Sequence, residues 1–419
     1  MIDIRFIRNN PELVRKAIID KNEKADLDKL LELDEAFRKE QYEFEGLRAH
    51  QNTVSQEIAK KKRAKEDASS QLEEMTKLAA RIKDIQASLA ELGAQRDEIL
   101  LSIPNIPEDS VPIGKDESAN EILRYEGEKP HFDFAVKDHL EIAEINGLLD
   151  LPRGAKIAGS GFPIYKGLGA SLERALINFM LEMHIQKHGF TELMVPLLVN
   201  RKAMIGTGQL PKLKEDMYHA EHDDLFLIPT AEVPVTNIYT DEVLSHKELP
   251  QKFVSYTPCF RREAGSYGKD TRGLQRLHQF NKVEMVSFTE AEDSSRMLDE
   301  LLAYAEDILK AFGLHYRVVN LATGDLSFAG QKTYDLEVWA PAAERYLEVS
   351  SVSNFGEFQA RRANIRYKDA EGKMRHVHTL NGSGVATPRL MIAILESFQN
   401  PDGSLNLPEV LKPWLQLKI

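Results

Sequence analysis

Two stretches near the N-terminus carry apolar residues at alternating steps of three and four, and this spacing constrains the fold more than any other feature. The first seam is apolar at seven of nine positions: Leu30, Leu33, Phe37, Glu40, Phe44, Leu47, Gln51, Val54 and Ile58. The second is interrupted by one arginine: Met75, Leu78, Ile82, Ile85, Leu89, Leu92, Arg96 and Ile99. A mean period of about 3.5 residues is typical of a coiled coil. Because so narrow a seam cannot form a globular core, we predict an antiparallel hairpin, roughly 50 Å long or more.

A basic run lies between the two seams and consists of Lys60, Lys61, Lys62, Arg63 and Lys65. These residues leave two interpretations open. The hairpin is either a dimerisation coiled coil with a solvated basic face, or a probe that reaches a large anionic partner through its tip. The net charge of -12 argues against indiscriminate nucleic-acid binding. Screening over about 10 Å still lets a local basic patch act independently.

The chain of 419 residues is long enough for two or three domains. After the second seam, Pro104, Pro107 and Pro112 forbid a continuing helix, so we place a domain boundary there, between residues 1–103 and 104–419.

The composition also bears on the compartment. Cys259 is the only cysteine, which excludes an intramolecular disulfide framework and a multi-thiolate metal site, so we expect no zinc. No run approaches the roughly 18 apolar residues of a membrane span, and the N-terminal MIDIRFIRNN lacks a signal-peptide core. We therefore expect a cytoplasmic protein with no membrane partner.

The remainder of the chain mixes helical and strand patterns. Helices are predicted around Leu172 and Leu176 and over 290–312 and 388–398. The runs that resemble strands are LFLIP, KVEMVSF, RYLEVSSVSNF and FTELMVPLLV. The last has Pro196 inside it, which implies an edge strand or a break in pairing. Strands in succession with few intervening helices indicate an α+β domain built on an antiparallel β-sheet flanked by helices.

The most specific stretch is FRREAGSYGKDTRGLQRLHQFNKVE, which begins at Phe260 and ends at Glu284. Its two strand-like ends enclose a loop with three glycines and several cations. Such a hairpin can wrap a polyphosphate, because guanidinium groups pair with phosphate oxygens and an aromatic ring offers a stacking face. The alternative is a charged surface hairpin.

Any nucleotide would be held without a P-loop, because neither GxxxxGK[ST] nor the dinucleotide fingerprint occurs in the sequence. The segment from Glu348 to Ser351 offers carboxylate and hydroxyl oxygens suited to Mg²⁺. Asn381, Gly382, Ser383 and Gly384 follow, and then Arg389. Glu348 alone is equally compatible with an ordinary surface residue, and Arg389 with a helix-end charge.

Together these segments resemble class II aminoacyl-tRNA synthetases, and specifically the bacterial-type seryl-tRNA synthetase family. GFTELMVP, the stretch from Phe260 to Glu284 and GSGVATPRLMIAILE resemble the three class motifs. IGTGQLPK, IPTAEVP, EVSSVSNFGEFQARRANIRY, HTLNGSG and NPDGSLNLPEVLKPW resemble stretches particular to the seryl family. The chain departs from common family residues at Arg262, Val352 and Pro388, and none of these departures removes a residue needed for chemistry.

The resemblance implies activation of L-serine with ATP and Mg²⁺. Arg261 is expected to bridge the α-phosphate and the serine carboxylate, and with Arg389 it is the expected catalytic residue. Glu263 is expected to contact the adenine amino group, Phe280 to stack on the ring, and Arg276 with Arg389 to hold the γ-phosphate end. The implied ATP site consists of Arg261, Arg262, Glu263, Arg276, Phe280, Glu348, Val349, Ser350, Ser351 and Arg389, and the implied metal ligands are Glu348 and Ser351.

The resemblance also implies the acceptor and the assembly. The expected serine site consists of Thr230, Ala231, Glu232, Glu284, Asn381 and Ser383. The arm is expected to recognise the long variable arm of tRNA(Ser), and of tRNA(Sec) as well, through Lys60, Lys61, Lys62, Arg63 and Lys65. A homodimer is expected, with its contact around Pro196. Two other classes remain alternatives: a synthetase-like structural or RNA-binding factor, and a ligase that charges a carrier protein and lacks the long arm.

Overall fold

The computed structural model describes residues 1–264 and 272–415, which divide into two compact units. The helical unit comprises Ile2–Ile19 and Glu23–Pro104. The sheet unit comprises Met1, Asp20–Asn22 and the described residues from Asn105 onward. No pattern in the sequence indicates that Asp20–Asn22 belong to the sheet unit.

Four helices precede Pro104: α1 (Ile4–Asn9), α2 (Pro11–Asp20), α3 (Leu27–Ala64) and α4 (Ser69–Leu101). The start of α3 is capped by Asp26, whose carboxylate accepts a hydrogen bond from Lys29 N at 2.9 Å. The 38 residues of α3 give it a length of roughly 57 Å.

Helices α3 and α4 form the antiparallel hairpin that the seams predict. Cross-helix contacts join Glu43 to Arg81, His50 to Glu74 and Lys61 to Gln71, so the partner in α4 moves back as the position in α3 advances. The shared seam is buried at Leu30, Leu33, Val54, Ile58, Leu78, Ile82, Ile85 and Leu89. The arginine that interrupts the second seam lies over an aromatic ring, with the Arg96 guanidinium 4.3 Å from the centre of Phe37.

The basic run is not a separate linker. Lys61, Lys62 and Arg63 belong to the last turn of α3, and Lys65 ends the helix in the left-handed conformation with φ 56°. Cations in a last helical turn are favoured by the partial negative charge of the unpaired carbonyl groups there. Lys60, Lys62, Arg63 and Lys65 are exposed, whereas Lys61 is half-buried and donates to Gln71 at 3.0 Å.

An eight-stranded sheet forms the centre of the sheet unit, in the order β1-β9-β10-β11-β14-β8-β7-β2. These strands are β1 (Glu121–Glu126), β2 (Thr191–Glu192), β7 (Gln251–Phe260), β8 (Gln279–Thr289), β9 (Tyr316–Asn320), β10 (Lys332–Ala340), β11 (Arg345–Asn354) and β14 (His378–Ala386). All neighbours pair antiparallel except β2 and β7, which are parallel. The antiparallel α+β prediction is therefore confirmed.

Two three-stranded sheets flank the large one, in the orders β13-β12-β6 and β3-β5-β4. Their strands are β3 (Leu198–Asn200), β4 (His219–Ala220), β5 (Leu225–Leu227), β6 (Val243–Ser245), β12 (Arg366–Lys368) and β13 (Met374–His376).

Eight helices complete the described part of the sheet unit: α5 (His139–Ile145), α6 (Leu151–Ala158), α7 (Leu168–Glu182), α8 (Arg201–Thr207), α9 (Glu232–Thr236), α10 (Ser294–Phe312), α11 (Phe358–Ala363) and α12 (Thr387–Ser397). Buried residues of α7, α10 and α12 pack with the large sheet into one core, as Leu172, Leu301 and Met391 illustrate. Helices α10 and α12 confirm the helices predicted over 290–312 and 388–398.

The run FTELMVPLLV forms two short strands, and the break in pairing that its proline implies is present. Thr191–Glu192 pair with β7 in the large sheet, whereas Leu198–Asn200 pair with β5 in a smaller one. Pro196 lies between the two strands, and a proline cannot donate to a strand ladder. The segment leaves Met194 97% exposed.

None of the helices in residues 1–264 and 272–415 is both long and apolar enough to cross a membrane.

Candidate active site

A cavity of about 520 Å³ opens in the sheet unit beside the β7–β8 hairpin. Most of the site residues suggested by the sequence line it: Thr230, Glu232, Arg261, Glu263, Arg276, Phe280, Glu284, Glu348, Val349, Ser351, Asn381, Ser383 and Arg389. Three others do not line it, namely Ala231, Arg262 and Ser350. The part of the glycine-rich stretch from 265 to 271 lies outside the described residues.

The three residues outside the cavity lining have other surroundings. Ala231 is fully buried. The Arg262 guanidinium lies 5.3 Å from the centre of the Tyr218 ring. The Ser350 hydroxyl donates to the carbonyl of Ser383. Ser350 thus holds the backbone of Ser383, which lines the cavity.

The hairpin is closed just beyond its ladder, and this closure fixes Arg261. Its N–H donates to His278 O at 3.0 Å, and its own carbonyl lies 3.0 Å from His278 Nδ1. The Arg261 guanidinium lies 5.2 Å from the centre of the Phe280 ring. A cation and an aromatic face are therefore presented together on one side of the cavity.

Two further arginines line the cavity, and each is paired with a carboxylate. Arg276 Nη1 lies 3.1 Å from Glu263 Oε2. Arg389 Nη1 lies 3.1 Å from Glu348 Oε2 and donates to the Glu348 carbonyl at 2.8 Å. Since the arginine side chains are 44% and 30% exposed, each pair contributes only about 0–1 kcal/mol and is easily exchanged.

A second part of the cavity is built around a buried carboxylate. Lys282 and Glu284 are two residues apart on β8 and face the same side, and their charged groups lie 2.6 Å apart. Glu284 also accepts from Asn381 Nδ2 at 3.0 Å and from Ser383 Oγ at 3.4 Å. Ser383 is the direct cross-strand partner of Glu284, so β14 delivers both donors.

Glu232 is the second buried carboxylate here, at the start of α9. Burial first, and then the charge of Glu284, raise the pKa of Glu232 to about 7. Its Oε1 accepts from Gln359 Nε2 at 2.6 Å. Lys282 and Arg261 are the cations that act on Glu232, and the two carboxylates offer acceptors that suit an ammonium group.

Oxygen donors also meet where β10 and β11 pair. Asp335 lies directly opposite Ser351, two residues along β11 from Val349. Asp335 is buried, accepts a hydrogen bond from Ser351, and has its Oδ1 without a partner among the described residues. Burial and then Glu348 raise the pKa of Asp335 well above its usual range.

These donors fit a hard divalent cation. Glu348, Ser351 and the unpartnered oxygen of Asp335 supply the oxygen chemistry that Mg²⁺ prefers, and Mg²⁺ usually takes its other ligands from phosphates and water. Across residues 1–264 and 272–415, no three histidine, cysteine or acidic side chains converge into an all-protein metal cage.

Sequence reasoning missed Lys282, Asp335 and Gln359. The period-two alternation of β8 could have pointed to Lys282, because it shares a face with Glu284. The other two residues come from β10 and α11, and only the strand register and helix packing bring them into contact with the cavity residues Ser351 and Glu232.

Family matches cover both units. Residues 1–107 match the family described as the Seryl-tRNA synthetase N-terminal domain, and residues 214–398 match the tRNA synthetase class II core domain (G, H, P, S and T).

Full-length relatives show the same likeness. The serine–tRNA ligase of Caldicellulosiruptor bescii is 52% identical over 415 residues, 99% of each chain. That of Thermodesulfovibrio yellowstonii is 52% identical over 423 residues, 100% of each chain. The crystal structure of seryl-tRNA synthetase from Pyrococcus horikoshii complexed with ATP matches with a TM-score of 0.92 at 36% identity, over 100% of this chain and 98% of that one.

The antiparallel sheet, its cavity and these matches define the class of the protein, which is a class II aminoacyl-tRNA synthetase. Within that class, the chain belongs to the seryl-tRNA synthetase family, the serine–tRNA ligases. The resemblance read from the motifs is thereby confirmed. The family match of the helical unit argues against a carrier-protein ligase, which is expected to lack the arm.

Proposed function

We propose that the enzyme joins L-serine to ATP to form seryl-adenylate and pyrophosphate, and then transfers serine to the 3′ end of tRNA(Ser). In the first step a serine carboxylate oxygen bonds to the α-phosphorus while the bond from that phosphorus to the bridging oxygen of pyrophosphate breaks. In the second, a ribose hydroxyl attacks the seryl carbonyl and AMP leaves. The observation that carries the proposal is the buried Glu284, held by Lys282, Asn381 and Ser383 beside Arg261.

The serine end follows from charge and hydrogen bonding. The ammonium group is assigned to the carboxylates of Glu232 and Glu284, with Thr230 beside them on the cavity wall. Glu284 and Ser383 are assigned to the hydroxyl, and Asn381 orients Glu284. Alanine would leave these buried polar groups without a partner, a penalty that can reject such an analogue by several orders of magnitude.

The ATP end follows from the arginines, and ATP in the related crystal structure of the Pyrococcus horikoshii enzyme supports it. Phe280 is assigned to the adenine ring, Arg261 to the α-phosphate, and Arg276 with Arg389 to the γ-phosphate end. In these roles Arg276 would exchange Glu263 for phosphate, and Arg389 would exchange Glu348. Both exchanges are cheap because the pairs are partly exposed. Glu263 is assigned to the adenine amino group.

Glu348 and Ser351 are the proposed ligands of Mg²⁺, with Asp335 behind them. When bound, the ion would neutralise phosphate charge and polarise the phosphoryl oxygens. The protein's own contribution is to orient the two substrates and supply fixed positive charge from Arg261 and Arg389.

Serine-dependent ATP–pyrophosphate exchange, followed by charging of purified tRNA(Ser), tests the proposal. Both activities are expected, with serine strongly preferred over alanine and threonine. Absence of serine-dependent exchange would overturn the adenylation step. Exchange without charging would leave the cavity assignment in place and overturn the tRNA assignment.

We further propose that residues 1–103 bind the long variable arm of tRNA(Ser), and also that of tRNA(Sec), while residues 104–419 carry the catalysis. The exposed basic group Lys60, Lys62, Arg63 and Lys65, with Lys61 beside it, supports phosphate contacts near the tip of the hairpin. Phosphate contacts of this kind fix the position and orientation of the RNA on the protein, and they do not read its base sequence.

The double variant Lys60→Ala/Lys62→Ala tests these contacts. Its control is Lys39→Ala/Lys83→Ala, which removes two exposed lysines of the same hairpin away from the tip. We expect the tip variant to weaken tRNA binding and to lower the slope of log affinity against log salt by roughly one unit per lost contact. Equal effects of the two variants, or none, would contradict a tip contact. A separate charging assay with tRNA(Sec) transcript tests the second acceptor, and absence of charging would contradict it.

A further inference from the structure

We infer that Gln359 is a positioning residue that holds Glu232 in the orientation and ionised form that bind the ammonium group of serine. The inference rests on the proposed function, because Glu232 has this role only in a serine site. Gln359 belongs to α11, is completely buried, and lies behind the cavity wall.

The amide of Gln359 uses its donors and its acceptor. Nε2 donates to Glu232 Oε1 at 2.6 Å and to the Thr207 carbonyl at 3.2 Å. Oε1 accepts from the Thr379 hydroxyl at 2.7 Å. The three partners come from α8, α9 and β14, so one side chain ties together three elements around Glu232.

These partners also decide which way the amide faces. A carbonyl oxygen can only accept, so the nitrogen has to face Thr207. The second proton of that nitrogen is then directed at Glu232, and the amide oxygen is left for the Thr379 hydroxyl. The arrangement cannot be inverted without setting two acceptors against each other.

A donor fixed on one carboxylate oxygen has two effects. It prevents rotation of the Glu232 carboxyl group, and it favours the ionised form. Burial and the neighbouring Glu284 disfavour that form, whereas the charges of Lys282 and Arg261 favour it. An ionised Glu232 is the better partner for an ammonium group. Removal of the donor should therefore weaken serine binding most where the carboxyl is partly protonated.

The variant Gln359→Met keeps the length of the side chain and removes both donors. In serine-dependent pyrophosphate exchange, we expect the KM for serine to rise about tenfold or more near pH 7, and the increase to shrink by pH 9, where Glu232 ionises without help. The KM for ATP should change less than about twofold. A purely structural defect would raise both constants at every pH.

Gln399→Met is the matched control. Gln399 is also buried, and its Nε2 donates to the carbonyls of Lys137 and Glu396, both at 2.9 Å, outside the cavity lining. It loses the same number of donors without touching Glu232. A milder pair, Thr379→Val and Thr379→Ser, removes or keeps the hydroxyl that fixes the amide, and remains informative if Gln359→Met fails to fold. Only the valine variant should shift the serine pH profile.

If the wild-type enzyme is active, but Gln359→Met and Thr379→Val leave the serine KM unchanged or change it equally at all pH values, this inference alone is overturned. A wild-type enzyme without serine-dependent exchange would overturn the proposed function, and this inference with it.

Discussion

At the scale of single residues, the serine end of the cavity is a region where charges are buried at a cost. Glu284 is completely buried and forms an ion pair with Lys282. Glu232 lies close enough for the charge of Glu284 to raise its pKa. Burial and the mutual repulsion of the two acids outweigh the nearby charges of Lys282 and Arg261, so both acids cannot be fully ionised at little cost. An ammonium ligand favours the ionised form of both, so the free energy of binding is tied to protonation.

This coupling predicts a pH dependence for the wild-type enzyme. The pKa of Glu232 is raised to about 7, so its carboxylate is present above pH 7 and is lost as pH falls through that value. We expect the serine KM in pyrophosphate exchange to rise as pH falls from 8 to 6, while the ATP KM stays flatter. Glu232→Gln should raise the KM at pH 8 and remove most of the slope. An unchanged slope in that variant would assign the titration to another group.

Arg261 makes a second prediction at this scale. Its guanidinium is planar and lies beside the Phe280 ring, whereas a lysine is a point charge that cannot bridge two acceptors in the same way. We expect Arg261→Lys to lower kcat for pyrophosphate exchange by roughly two to three orders of magnitude, the range found when one charge-stabilising donor is removed. Arg201→Lys is the control and should retain most activity, because the Arg201 guanidinium lies 5.2 Å from the centre of the Phe226 ring, outside the cavity lining.

At the scale of elements, two positions in the α3–α4 hairpin test side-chain packing and helix propensity separately. Ile85 is 3% exposed in the seam, whereas Gly46 lies in the middle of α3 with open space where a Cβ would be added. The two positions therefore report on different contributions to the same structure.

We expect Ile85→Ala to destabilise the hairpin by about 2–5 kcal/mol through loss of buried volume. Gly46→Ala should stabilise it by about 1 kcal/mol through helix propensity. Amide hydrogen exchange along α3 and α4 in the full-length enzyme measures both. Serine-dependent pyrophosphate exchange should be retained in each variant, and its loss would contradict the assignment of adenylation to the sheet unit.

At the scale of the whole molecule, we propose that the enzyme is a homodimer, as the family resemblance implies, and the segment around Pro196 supports this. Met194 is 97% exposed, and Leu197 and Leu198 are 37% and 47% exposed. Three apolar side chains exposed within five positions form a patch that association would cover.

Met194→Glu is therefore expected to weaken dimerisation by about tenfold or more, as measured by sedimentation across a concentration series. Ile157→Glu places the same charge on α6, where the isoleucine is 78% exposed, and should leave association unchanged. A wild-type enzyme that sediments as a monomer throughout would refute the dimer, and equal weakening by both variants would place the contact elsewhere.

The features that could be predicted from the sequence also differ between the parts of the molecule. The hairpin could be predicted because its residues repeat with one period and meet neighbours close in sequence. The residues from Arg261 to Glu284 could be associated with one site because a β-hairpin joins them. Gln359 and Asp335 could not, since their positions depend on the packing of α11 and the register of β10. Pro196 indicates an edge strand or a break in pairing, but both halves carry strand-forming residues, and only tertiary pairing assigns them to different sheets.

The two units also differ in how far apart along the chain their contacting residues lie, and this has a consequence for folding during synthesis. Partners such as Glu43 and Arg81 are separated by 38 positions, whereas the pairing of β1 with β9 joins Glu121 to Asn320. Contacts that are close along the chain form early, and the helical hairpin has left the ribosome long before β9 is translated. The N-terminal unit should therefore acquire protease resistance on stalled ribosomes while the catalytic sheet still lacks half of its strands.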